Sequence, residues 1–290
     1  MARGKYVARL GFCLAVLAAA ASSHAAEPAS GRLVTIGDRQ IDIRCVGEGP
    51  RTAVVISGGA SPATTWRRVQ DSAATFTRIC LYDRPGYGAS TPLAAPMTFE
   101  DRAEELHKVL AIAGERGPFV LVAHSWGGFL ARSFVRRYPK EIAGVVLVDA
   151  VEEGLVYDPA VVAILRQQQA GLSAAAAAAR KTGSNASNAQ AQVFETGALE
   201  AESYWMSSKA QQAPGGFGRL KNIPLVVMRH GRPFPQSLAP LETGWPDAQG
   251  RLAALSSRSQ TIVAEKSDHM INLTEPELIV DAIRQLAAHP

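Results

Sequence analysis

Apolar positions along this chain follow two periods. Short runs in which every residue or every second residue is apolar occur at 33–36, 41–46, 52–56, 78–82, 119–123, 143–148, 225–228 and 260–264, and each predicts a strand. Gly37 and Asp38 join the first two as a hairpin. Between the strands the apolar spacing lengthens to three or four. Leu106, Val109, Leu110 and Ala113 form one face of a helix that starts at Thr98, with Asp101 three residues on as its capping-box partner, and stops at Gly114. Phe129, Leu130, Phe134 and Val135 form a second such face, ended by Pro139. Leu278, Ile279, Ala282, Ile283 and Leu286 form a third within a closing helix over 275–288. Strands alternating with helices predict an α/β domain with a mostly parallel sheet, covered on both faces, whose site lies at the strand C-termini.

Residues 151–220 break this alternation. They hold an alanine tract at 174–179, a polar break over 183–188 and Gly215-Gly216 near the exit, with high helical propensity and no strand pattern. The expectation is a helical cap inserted into a core domain made of residues 26–150 and 221–290. Residues 1–25 read as a signal peptide: Arg3, Lys5 and Arg9 precede an apolar run over 10–21, and Ser23-His24-Ala25 suits cleavage after Ala25. That run falls short of the roughly 20 residues a membrane span needs. An exported protein, periplasmic or released, is expected. Cys13 follows a bulky residue, which makes a poor lipid-attachment box.

Loss of the leader removes three basic residues and no acidic ones, so the formal charge falls from +4 to +1. A nearly neutral chain gives no reason to expect nucleic acid or an anionic membrane as partner, nor stable membrane insertion. Two cysteines remain, Cys45 and Cys80, each in a strand-like run. An oxidising compartment allows them to pair, and two separate buried thiols are the alternative.

The chemistry concentrates at Ala123-His124-Ser125-Trp126-Gly127-Gly128, where a buried strand turns into a helix. A turn that sharp requires small residues two before and two after the serine, here Ala123 and Gly127. This is the nucleophile-elbow pattern with alanine for the first glycine, and it directs the Trp126 N–H toward a developing oxyanion. A serine that merely caps a helix is the plainer reading. Ser57-Gly58-Gly59-Ala60, directly after the third strand, frees backbone N–H groups for the same purpose, or makes an ordinary turn. In the loop 83–90, Asp83 and Arg84 read as a structural charge pair.

Taken together, Ser57-Gly58-Gly59, Asp83-Arg84-Pro85-Gly86-Tyr87-Gly88-Ala89-Ser90, His124-Ser125-Trp126-Gly127-Gly128 and Ser267-Asp268-His269, in this order, resemble the α/β-hydrolase fold superfamily from about Leu33 to Leu286. The resemblance implies an eight-stranded, mostly parallel sheet with helices on both faces and a helical cap. It also implies Ser125 as nucleophile, with Gly59 and Trp126 N–H groups as oxyanion hole and Ala60 as substitute for Gly59. The general base is expected in the loop after the last strand, where His269 stands alone. Most members carry the acid after the seventh strand, but that position here reads Met228-Arg229-His230-Gly231 and holds no carboxylate before Glu242. Some members, including a subset of haloalkane dehalogenases, place it after the sixth strand, and Asp149 lies there. Asp149 is therefore expected to orient His269, with Glu152 and Glu153 as alternates, while Asp268 is too near His269 to orient it easily. The fold's second and fourth strands are neighbours, which places Cys45 and Cys80 within disulfide reach if their registers match.

The resemblance implies a secreted serine hydrolase that cleaves small or medium esters through an acyl-enzyme, taking a small-molecule substrate and no metal or organic cofactor. His124, His230, Trp205 and Phe217 are the expected pocket residues, with Tyr204 and Met206 in an apolar roof, and His230 is also a second candidate base. The same frame serves aminopeptidases, acyltransferases, carbon–carbon bond hydrolases and cofactor-free dioxygenases, and a non-catalytic ligand binder is a further alternative. A serine in place of aspartate argues against dehalogenase or epoxide hydrolase chemistry.

Overall fold

The computed structural model describes residues 31–206 and 216–288. The leader with its cleavage site, Gly215 and His289 lie outside them. Eight strands form one sheet: β1 (Arg32–Ile36), β2 (Arg39–Val46), β3 (Thr52–Ile56), β4 (Arg78–Tyr82), β5 (Phe119–His124), β6 (Ile142–Val148), β7 (Leu225–His230) and β8 (Ser259–Ala264). Their spatial order is β1-β2-β4-β3-β5-β6-β7-β8. The pairs β1/β2 and β2/β4 are antiparallel, and every other pair is parallel. The sheet therefore delivers the C-terminal ends of β3 through β8 to one edge.

The period-two pattern sorts side chains between two cores. Val54, Ile56, Leu121, Ala123, Val145 and Leu147 enter one, whereas Ala53, Val55, Val120, Val122, Val146 and Val148 enter the other. The first core lies under α2 (Phe99–Ala113), α3 (Gly127–Arg137) and α6 (Ala239–Ala253), the second under α1 (Arg67–Ala73) and α7 (Pro276–Ala288). Thr98 caps α2 by accepting from the Asp101 N–H, and Gly114 ends it at φ 86°. The strand and helix pattern read from the sequence is thus met. The exceptions are the short α1 and α6, the latter with its apolar spacing interrupted by Pro240, Gly244, Pro246 and Gly250.

Between β6 and β7 the chain forms an antiparallel helical hairpin, α4 (Pro159–Thr182) and α5 (Asn185–Trp205). The polar break is shorter than its composition suggests. Gly183 turns at φ 71°, Ser184 caps α5 by accepting from the Ser187 N–H, and Asn185 already belongs to the helix. No helix among the described residues is long and apolar enough to cross a membrane. At the antiparallel edge Cys45 and Cys80 stand directly opposite one another in the β2/β4 register, Cα atoms 4.0 Å apart, and are joined as a disulfide.

Candidate active site

Ser125 sits between β5 and α3 at φ 52°, a left-handed conformation that costs a non-glycine residue about 1–3 kcal/mol and persists only where the surroundings impose it. They do so here: its N–H donates to the Val148 carbonyl, and its own carbonyl accepts from Gly128 and Val151. The turn also presses the chain against β3. A Cβ on Gly127 would lie 2.5 Å from the Ile56 carbonyl oxygen, and one on Gly58 would lie 2.7 Å from His124 Nδ1. Glycine at both positions follows from this close approach.

The loop after β8 returns His269 to this edge. Its Nε2 lies 3.0 Å from Ser125 Oγ, and its Nδ1 donates to Asp149 Oδ2 at 2.7 Å. Asp149, at the end of β6 with φ 45°, is fully buried, while the His269 side chain keeps 27% of its surface exposed. Burial alone would push the Asp149 carboxyl up. Hydrogen bonds from His230 and His269, and the charges of both rings, outweigh it and hold Asp149 below the usual carboxylate range. Its other oxygen accepts from Trp245 Nε1 at 2.7 Å and from the His230 N–H at 3.1 Å. The structure thus brings together Ser125, His269 and Asp149, which lie far apart in sequence. Glu152 and Glu153 face elsewhere, toward Arg251 and Arg132 respectively.

Of the two loop candidates after β3, Ala60 is already committed, its N–H donating to Tyr87 Oη at 2.9 Å. Gly59 packs beside the Trp126 ring, and its N–H and that of Trp126 donate to no acceptor among the described residues. The segment is fixed from beneath by Arg84, which donates to the Ser57 and Gly58 carbonyls at 2.9 and 2.8 Å. The charge partner expected for Arg84 is corrected. Asp83 instead accepts from the Ala63 N–H, and Arg84 pairs with Glu200 of α5 at 2.6 Å. Glu200 also accepts from Tyr87 Oη at 2.6 Å and from Arg102 at 3.3 Å.

A small cavity meets Gly59 and Trp126 and is lined further by Phe99, Leu130, Arg102 and Glu200. None of the four expected pocket residues lines it. His124 is buried behind the site, donating from Nε2 to the His269 carbonyl at 2.9 Å, and burial followed by the His269 charge pushes its ring down to about 3, so it stays neutral. His230 is buried against Asp149, which removes it as a second base facing Ser125. Trp205 is half-buried on the hairpin, donating to Gln169 Oε1, and Phe217 is fully buried against Phe99 and Phe129. Of the expected roof, Tyr204 packs its ring 5.2 Å from that of Trp126, whereas Met206 is exposed. Sequence reasoning missed Trp245, Glu242 and Glu200. The first two lie on the unforeseen α6, and nothing in the sequence links Glu200 to Arg84.

Asp149, His230 and His269 each offer an atom within 4.8 Å of the others, the spacing of a cation site, but both Nδ1 atoms are spent as donors to Asp149 Oδ2. A serine at a strained strand-to-helix turn, with a histidine and a buried carboxylate at the C-terminal edge of a mostly parallel sheet, defines a hydrolase of the α/β class. Residues 53–282 match the Alpha/beta hydrolase family, and the chain belongs to it.

An uncharacterized protein of Schizosaccharomyces pombe is 30% identical over 152 residues, a match spanning 42% of this chain and only 28% of that protein. An AB hydrolase superfamily protein of Gibberella zeae is 22% identical over 278 residues, spanning 81% of this chain and 85% of the relative. Among solved structures, the fold is similar to that of a thermophilic esterase from Thermogutta terrifontis, with TM-score 0.64 and 17% identity over 90% of this chain and 97% of the other. It is also similar to the enol-lactonase from Burkholderia xenovorans, with TM-score 0.67 and 14% identity over 89% of this chain and all of the other.

Proposed function

We propose that this protein is an exported serine hydrolase that cleaves small or medium carboxylic esters through an acyl-enzyme on Ser125. The observation that carries this reading is the unbroken line from Ser125 Oγ to His269 Nε2 at 3.0 Å and from His269 Nδ1 to buried Asp149 at 2.7 Å. Asp149 accepts a hydrogen bond from the His269 Nδ1–H, so the Nε2 lone pair faces the Ser125 hydroxyl. Ser125 Oγ attacks the ester carbonyl as its proton passes to His269 Nε2. The oxyanion accepts from the Gly59 and Trp126 N–H groups, and each such donor is worth about 10²–10³ in rate. The carbon–oxygen bond to the leaving alcohol breaks as His269 returns the proton to it. Water then attacks the acyl-enzyme, giving its proton to His269, and the tetrahedral adduct collapses to the carboxylic acid as His269 returns the proton to Ser125 Oγ. An exported protein also accords with the disulfide between Cys45 and Cys80.

The test is covalent labelling of the mature protein by a fluorophosphonate, alongside turnover of p-nitrophenyl esters of increasing acyl length. Labelling vanishes in Ser125→Ala, falls by at least about 10³-fold in His269→Ala, and falls in Asp149→Asn. A folded wild-type protein that neither labels nor turns over any of these esters overturns the reading.

A further inference from the structure

Asp149 serves two imidazoles. Its Oδ2 accepts from His269 Nδ1 and from His230 Nδ1, both at 2.7 Å, and the second ring continues outward, with His230 Nε2 3.1 Å from Glu242 Oε2. Both ring nitrogens of His230 thus face carboxylate oxygens, which accept and do not donate when ionised. Only the doubly protonated ring satisfies both contacts. His230 is 2% exposed and packed between the rings of Phe234 and Trp245. It ends β7, the strand paired with β6, beyond which Asp149 lies.

We infer that His230 is a doubly protonated positioning residue, pinned between Asp149 and Glu242, whose positive charge beside the carboxylate oxygen it shares with His269 extends the enzyme's activity toward acid pH. The inference rests on the serine-hydrolase reading above. The charged groups around His230 are Asp149 from β6, Glu242 from α6, His269 from the loop after β8 and Arg229 beside it in β7, whose guanidinium donates to the His230 carbonyl. Two carboxylates against this ring favour its charged form. Burial opposes a charge on His230, but the bonds to Asp149 and Glu242 and their charges prevail, holding the ring above its ordinary value.

A proton arriving on His269 places a second positive charge on the same carboxylate oxygen. The two charges repel across that oxygen. With the His230 charge removed that repulsion is absent, and the acid limb of kcat/KM moves to higher pH by about one to two units.

The experiment measures kcat/KM for a p-nitrophenyl ester against pH in wild type, Glu242→Gln and His230→Phe, with side-chain nitrogen NMR of the histidines. Glu242 has 32% of its side chain exposed, and glutamine keeps the acceptor for the Phe234 N–H, so this variant folds even if His230→Phe does not. Wild type shows both His230 nitrogens protonated above neutral pH. In Glu242→Gln the Nε2 proton is lost at lower pH, and above that point the acid limb lies above that of wild type. A singly protonated His230 at neutral pH in wild type, or rates that fall uniformly with an unmoved acid limb, overturns the inference. Absence of any turnover in wild type instead defeats the hydrolase reading, and the NMR result then still reports the state of His230.

Discussion

Arg132 on α3 and Glu153, just beyond β6, form a pair buried to 0% and 1% side-chain exposure, joined by two parallel bonds of 2.5 and 2.8 Å. They tie the helix that follows Ser125 to the segment that follows Asp149. Replacing one member breaks this buried pair, at about 3–5 kcal/mol. At about 2–4 °C per kcal/mol for a domain of this size, Arg132→Met or Glu153→Leu lowers Tm by about 6–20 °C. The double variant exchanges both charges for apolar groups of similar volume. Gly218 loses the bond its carbonyl accepts from Arg132 Nε at 3.3 Å, worth about 1 kcal/mol. The double variant therefore lies within about 1–2 kcal/mol of wild type and is more stable than either single variant, a coupling above about 3 kcal/mol. Urea denaturation monitored by tryptophan fluorescence measures all four free energies. Singles within about 0.5 kcal/mol of wild type, or a double variant equal to the sum of the singles, refute the reasoning. The same proteins separate two carboxylates: below its own Tm, Glu153→Leu retains fluorophosphonate labelling because Glu153 faces Arg132 and not His269.

Glu200→Gln leaves Arg84 and Arg102 without their shared carboxylate and costs about 3 kcal/mol in a urea titration. Although burial opposes its charge, the charges of Arg84 and Arg102 and bonds from Arg84 and Tyr87 hold Glu200 below its ordinary value. Its stabilisation is thus complete above the unfolded glutamate range and is lost as pH falls through the lower folded value, so the Tm gap between wild type and variant closes only in acid. Gly127→Ala pushes a methyl group against the Ile56 and Ser57 carbonyls, at 2.5 and 2.8 Å. Because those are backbone atoms, β3 must shift, costing about 1–3 kcal/mol by thermal melting and slowing fluorophosphonate labelling further than the stability loss explains.

The strands were legible because a buried parallel sheet demands near-continuous apolar runs: β3 and β4 match the bounds read from the pattern alone. Helix α6 was not, since two prolines and two glycines mask the apolar face that buries Leu241, Trp245, Ala248 and Leu252. That omission hid the environment of the site. With Trp245 and Glu242 unplaced, Asp149 could be proposed from its strand-end position, but the cage around it could not, and His230 read as a free histidine at a pocket wall. Arg84 shows a second limit. Asp83 is its neighbour in sequence, yet a buried guanidinium settles where carbonyls and a carboxylate converge, and the carboxylate lies 116 residues away on the hairpin.

The bond between Cys45 and Cys80 turns the intervening chain, with a sequence separation of 35, into a covalently closed ring. Strand β3, helix α1 and the Ser57–Gly59 segment all belong to that ring. A protease cut anywhere between 46 and 79 opens the ring without dividing the molecule, and both new ends stay attached through the sulfur atoms. On a gel the nicked protein migrates as one species until a reductant is added and as two afterwards, so the segment beside Ser125 can be severed yet cannot diffuse away.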